Sequence, residues 1–208
     1  MNLPFTPRRS EKAASSLSVT TQTAHRGMVS HIARSALFTA LLIASAVVGT
    51  IPLPGNPVGI TLQTFVLMLI ALCLTPSEAA GSVIAYLTIG AVGFPVFSGG
   101  MSTLALIGPS AGYLYAFVPA VLLTSLLKQR LHTSREGMAL LRDIAVCFLG
   151  CVVVPLLSGI PVQALLTGTP ISTVATVSLP FIVNDCVKVL VACALVRAGS
   201  GIAERLHR

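Results

Sequence analysis

Charge is what this sequence has least of. Asp, Glu, Lys and Arg together make up 9% of its 208 residues, against roughly 25% in a soluble domain, whose surface must face water. A chain so poor in charge does not cover a water-facing sphere, but it does cover a lipid-facing one. Trp is absent and aromatic residues reach only 5%. There is accordingly no folded basic face with interleaved aromatics, and the net charge of +7 does not point to nucleic acid. The five cysteines, Cys73, Cys147, Cys151, Cys186 and Cys193, form no CxxC pair and have no His partner at metal spacing. They are expected to be small buried hydrophobes and to hold no metal. HExxH, a nucleophile elbow and paired carboxylates are all missing, so no catalytic residue is assigned and no cofactor is expected. A GxxxxGKS/T phosphate loop is missing too. Any ATP-driven work must be done by other subunits.

What is present is hydrophobic. Apolar residues make up 54% of the chain, with a mean hydropathy of +0.91. They fall into six runs, at about 36–50, 60–74, 79–92, 111–127, 140–157 and 174–196. Six membrane-crossing helices follow, although several runs fall short of the ~20 residues of a straight span. The expected organisation is a polar, basic, disordered tail over residues 1–32, a six-helix membrane domain over 33–198 and a short tail over 199–208. The connecting segments 51–59, 93–110 and 158–173 carry no charge, whereas the basic residues gather in the tails and in the loop at 128–142. By the positive-inside rule this places both termini in the cytoplasm of a multi-pass protein of the cell membrane. Ala44, Ser45 and Ala46 resemble a signal-cleavage site. The leader would be unusually long, so the first run is expected to remain as a helix.

The sixth run contains Asp185 and Lys188. Three residues apart, they share a helix face. A charge in hydrocarbon costs on the order of 2.5–3.5 kcal/mol, so the pair faces the bundle interior or a polar cavity. It is either a ligand site or an ion pair that fixes helix packing. Asn184 beside it and Pro180 upstream favour a site. Gln63, Tyr86 and Tyr113 stand where they can converge on it, or serve as interfacial anchors. In the first run, Ala36, Ala40 and Ala44 form a stripe at four-residue spacing. Such a stripe admits close approach by another helix, whether an internal neighbour or a partner.

These features carry a resemblance. PLP at 52–54, ITLQT at 60–64, YLTIG at 86–90, GFPVF at 93–97, GPSAGY at 108–113 and the Asp185–Lys188 pair occur in this order. In that respect the chain is similar to the BioY family, the substrate-binding S components of energy-coupling-factor (ECF) biotin transporters. The resemblance covers about residues 33–198. It implies an all-α, six-helix membrane bundle of the S-component type with a biotin pocket on the external side. Asp185 would accept the ureido N–H groups of biotin, and Lys188 would meet the ureido carbonyl or the carboxylate. Gln63, Tyr86 and Tyr113 would complete the pocket, and Asn184 is a further candidate from its place beside the pair. The alanine stripe would dock the transmembrane coupling subunit (T component), which joins two ATP-binding-cassette ATPases. The alternatives are an S component for a different vitamin, or a stand-alone proton-coupled transporter in which Asp185 and Lys188 relay protons.

Overall fold

A computed structural model of the chain describes residues 9–131 and 136–206; Arg8, His132 and His207 lie outside the described residues. Helix α1 (Arg9–Val47) opens the fold. The stretch expected to be irregular is therefore helical from Arg9 onward. No proline occurs between Pro7 and Pro52, and Glu, Lys, Ala and Leu are distributed among the Ser and Thr residues, so nothing in the composition breaks the helix.

The uncharged segment after α1 is not a plain loop. Strands β1 (Thr50–Leu53) and β2 (Asn56–Thr61) form an antiparallel hairpin, with Thr50 paired to Thr61 and Ile51 to Ile60. Pro54 and Gly55 turn the chain, and Gly55 takes a φ of 76°, a conformation that glycine adopts at no steric cost. Helix α2 (Gln63–Cys73) follows with only 11 residues, a rise of roughly 16 Å at 1.5 Å per residue. The second apolar run is thus part strand and part helix, and α2 is about half the ~20 residues that a straight span requires.

Helix α3 (Pro76–Ala91) starts in a capping box: Thr75 accepts from the Glu78 N–H, and the Glu78 carboxylate accepts from the Thr75 N–H. Two short 3-10 turns, Ser98–Gly100 and Thr103–Leu106, lead to α4 (Ala111–Arg130). Helix α5 (Glu136–Phe148) runs through a π-helical turn (Leu149–Val153) into α6 (Val154–Thr167). Pro155 lies just past that turn. It lacks an N–H and would press on the carbonyl of Cys151, and the wider turn relieves both conflicts. Helices α7 (Ile171–Val177) and α8 (Leu179–Leu206) complete the chain.

By length and composition, four helices among the described residues can cross a membrane: Met28–Val47, Ala111–Arg130, Gly137–Thr167 and Leu179–Gly201. With the shorter helices α2 and α3 they pack around a core that includes Leu67, Met68, Tyr86, Val121 and Cys151. Large apolar side chains such as Leu157, Leu165 and Val183 point outward, as a lipid-facing surface requires. Cys147, Cys151 and Cys193 are buried as expected, but Cys73 is exposed at the end of α2.

Charge gathers at one end of the bundle. Arg34 donates to the Cys73 carbonyl at 3.0 Å and Lys128 to the Leu72 carbonyl at 2.5 Å. Two cations thus cap the C-terminus of α2, where the carbonyls lack helical partners and the dipole is negative. Glu78 is buried between His31 (2.6 Å) and Arg34 (3.5 Å). Asp143, which nothing in the sequence singles out, is buried on α5 and pairs with Arg142 at 2.6 Å and with Arg197 of α8 at 3.7 Å. The opposite end of α2 faces the one other described ion pair, Asp185–Lys188.

Candidate ligand-binding site

Above the N-terminus of α2 lies a cavity of about 360 Å³, within the ~300–1,000 Å³ typical of small-molecule sites. Its walls come from six parts of the chain. The hairpin supplies Thr50 and residues 57–61, and α2 supplies Gln63 and Thr64. The 97–110 segment contributes Phe97 and Leu104, α4 contributes Tyr113 and Phe117, and α6 and α8 close the far side.

The polar centre is on α8. Asp185 and Lys188 lie one helical turn apart, with side chains 9% and 11% exposed and 3.0 Å between Nζ and Oδ1. Lys188 also donates to the Thr61 carbonyl and to Thr64 Oγ1, both at 2.7 Å. An ammonium has three donors, and all three are engaged within the protein. Thr64 in turn donates to Asp185 Oδ1 at 2.8 Å. Every hydrogen bond the carboxylate makes to described residues falls on Oδ1, so Oδ2 is left without a protein donor on a residue that lines the cavity. The pair both ties α8 to the β2–α2 junction and presents an anionic acceptor. Burying two charges is tolerable because each is paired and hydrogen-bonded.

Gln63 is the second polar group of the wall. Its amide nitrogen donates to the Tyr86 hydroxyl, which donates to the Val96 carbonyl at 3.2 Å. The Tyr86 ring meets Phe97 edge-on, with centroids 5.1 Å apart. Tyr86 is fully buried and does not line the cavity; it orients Gln63 from behind. Tyr113 does line the cavity, with its ring near Phe181 (6.2 Å) and its hydroxyl donating to Gln163 at 3.2 Å. Asn184 does not line it: one residue along α8 from Asp185, it is rotated off that face, and its amide nitrogen is buried without a partner among the described residues. Asp185, Lys188, Gln63 and Tyr113 are therefore brought together, Tyr86 supports them, and Asn184 stands apart.

Sequence reasoning misses Thr64, which bridges the two charged groups, and the apolar wall of Phe97, Leu104, Phe117, Val152, Leu156 and Phe181. The sequence signals for Thr64 are its place next to Gln63 and its position closing the ITLQT motif. The cavity sets the acceptor groups of Gln63 and Asp185 in a mostly apolar lining, to which Thr50, Ser98 and Ser110 add hydroxyl groups. Such a lining suits a compact ligand with N–H donors and an aliphatic part.

The alanine stripe lies elsewhere. Ala36, Ala40 and Ala44 are exposed on the outer face of α1, with none packed into the core. Ala36 borders a shallow groove between α1 and α3 that also includes His31, Ser35, Thr39 and Glu78.

The model of the BioY family matches residues 12–205. A probable biotin transporter BioY of Bacillus subtilis (strain 168) is 37% identical over 164 residues, covering 77% of this chain and 84% of the relative. The biotin transporter BioY of Rhodobacter capsulatus is 35% identical over 171 residues, covering 77% and 88%. Among solved structures, the S-component for biotin from an ECF-type ABC transporter superimposes with a TM-score of 0.78 at 27% identity. That match covers 85% of this chain and 93% of the other.

Proposed function

Because this chain belongs to the BioY family, we propose that it is the biotin-binding S component of an ECF-type uptake transporter, a multi-pass membrane protein that captures biotin in the cavity above α2. The observation that carries this reading is the unpaired Asp185 Oδ2, set beside Gln63 in an apolar wall. A ureido group presents two N–H donors, and Asp185 and Gln63 accept them. The carboxylate is the stronger acceptor, since a hydrogen bond to a charged group contributes about 1.5–3 kcal/mol. Lys188, with its donors engaged, holds the carboxylate in place and balances its charge. Tyr113 and Phe181 flank the ring system, and the aliphatic tail runs along Leu104, Phe117 and Leu156. The protein is a transport protein and not an enzyme.

Titration calorimetry of the purified, detergent-solubilised chain with biotin tests this reading, with thiamine and riboflavin as controls. The expected result is tight, selective biotin binding with one ligand per chain. Preference for another vitamin would transfer the same pocket to that ligand. Absence of any binding by a folded sample would remove the pocket assignment.

Uptake further requires partners. The charged end of the bundle, with the basic residues around it, is assigned to the cytoplasm, which puts the cavity on the external side. The exposed alanine stripe of α1 docks the T component, and two ATP-binding-cassette ATPases complete the complex. Ala40→Leu fills that seam and is expected to leave biotin affinity within about twofold while preventing co-purification with the partner subunits. Unimpaired co-purification of the variant would remove the stripe from the docking surface.

A further inference from the structure

We propose that Asn56 and Gln163, neither of which touches the cavity, are positioning residues that latch its hairpin wall to its tyrosine wall. The proposal rests on the reading of the cavity as a biotin site. Gln163 of α6 is 1% exposed, an unusual place for an amide unless both of its ends are bonded. Its Nε2 donates to Asn56 Oδ1 at 2.9 Å, and its Oε1 accepts from the Tyr113 hydroxyl at 3.2 Å. Asn56 opens β2 and is 8% exposed. Its Oδ1 also accepts from the Val58 N–H at 2.9 Å, and its Nδ2 reaches Ser178 Oγ at 3.4 Å. One buried amide thus joins two separate walls of the cavity: residues 57–61 of the hairpin, and Tyr113 of α4.

The consequence is mechanical. At its other end the hairpin meets the 98–100 turn through the Thr50 and Ser98 hydroxyls, both of which also line the cavity. Lifting β2 away from the bundle opens the wall formed by residues 57–61 and requires the Asn56–Gln163 bond to break. Because both amides are buried, water does not replace the bond until the hairpin has moved. The latch therefore holds the hairpin shut and slows ligand escape. Ligand contact with Tyr113 acts on the same amide from its other side.

Two measurements on the full-length chain in detergent test the latch, using Asn56→Ala, Gln163→Ala and the double variant. The first is hydrogen exchange of residues 50–61 without ligand. Exchange is expected to rise about tenfold in Gln163→Ala, a variant that leaves the hairpin sequence unchanged. The second is release of radiolabelled biotin after dilution into unlabelled biotin. Each single variant is expected to release biotin about tenfold faster, a factor equivalent to about 1.4 kcal/mol, with the association rate not reduced. The double variant is expected to be no faster than Asn56→Ala, because the Asn56–Gln163 bond is already lost there, together with the Asn56 bonds to Ser178 and to the Val177 carbonyl. Asn56→Ala lies outside the helical bundle, so it reports on the latch even where Gln163→Ala folds poorly. Release and exchange within about twofold of the parent, or effects that multiply in the double variant, would overturn the proposal. If the parent chain fails to bind biotin, the biotin reading falls, and hydrogen exchange alone then decides the latch.

Discussion

Asp185→Ala is expected to weaken biotin binding by more than roughly a hundredfold and to lower the thermal unfolding midpoint at the same time. The two effects have different origins. Removal of the carboxylate takes away the acceptor for a ligand N–H, a charge-assisted bond of about 1.5–3 kcal/mol. It also strands Lys188, whose side chain is 11% exposed and has no other carboxylate beside it among the described residues. Breaking one partner of a buried pair costs about 3–5 kcal/mol, because the remaining charge is left uncompensated. A loss of binding alone therefore does not separate recognition from folding. The double variant Asp185→Asn with Lys188→Met does. With both charges gone the desolvation penalty vanishes, and the unfolding midpoint is expected to return close to that of the parent. Biotin affinity is expected to stay at least about tenfold below the parent, because an amide oxygen is a weaker acceptor than a carboxylate. A stable double variant with parental affinity in calorimetry would reduce the pair to a structural tie between α8 and the β2–α2 junction.

Gly159→Ala is expected to lower biotin affinity roughly 5- to 150-fold, although Gly159 does not line the cavity. A Cβ built at Gly159 would lie 2.3–2.4 Å from three atoms of the Tyr113 ring, and one built at Gly112 would lie 2.7 Å from the Ser158 carbonyl oxygen. Helices α4 and α6, the most extensively packed pair in the bundle, approach through these two glycines. The Tyr113 ring has little freedom to yield, since its hydroxyl is tied to Gln163 and Phe181 stands beside it. A methyl group at residue 159 pushes the ring toward the cavity or separates the helices. Overpacking of this kind costs about 1–3 kcal/mol, and each 1.4 kcal/mol is about tenfold in affinity. Gly137→Ala is the control. It lies on α5, where an added methyl group meets nothing within 4 Å, so affinity and unfolding midpoint are expected to stay at parental values or rise slightly. Parental affinity in Gly159→Ala, measured by the same titration, would show that Tyr113 is not held where the ligand binds.

The main features of the bundle are legible in the sequence because they follow from local composition. Each of the six apolar runs contains helix, four of them helices long enough to cross a membrane, and the scarcity of charge by itself argues against a water-soluble domain. The resemblance through the motifs at 52–64, 86–97 and 108–113 points to the family to which the chain belongs. The hairpin is not legible. Pro52, Pro54, Gly55 and Pro57 read as helix breakers, and the Thr-Ile and Val-Gly-Ile-Thr stretches that flank the turn are too short for alternation to stand out against the surrounding apolar runs. For the same reason the apolar run around α2 begins three residues before the helix does, because its first part is strand. Asp143 is hidden by its neighbour Arg142, which makes it look like the edge of a charged loop.

Local composition alone indicates the solvent this protein lives in, its division into apolar helical segments and the pair of charges that must be accounted for. Those properties depend on how many apolar residues lie in a row and on what a charge costs in hydrocarbon, both of which are local. Which polar groups meet is a property of the folded bundle. Folding turns Asn184 off the face that carries Asp185, puts Tyr86 behind Gln63 in place of beside it, and uses all three donors of Lys188 within the protein. It also joins Asn56 to Gln163 across 107 residues of sequence. Distance along the chain carries no information about such pairings, because they are fixed by the rotation of each helix about its axis and by the depth at which α2 begins.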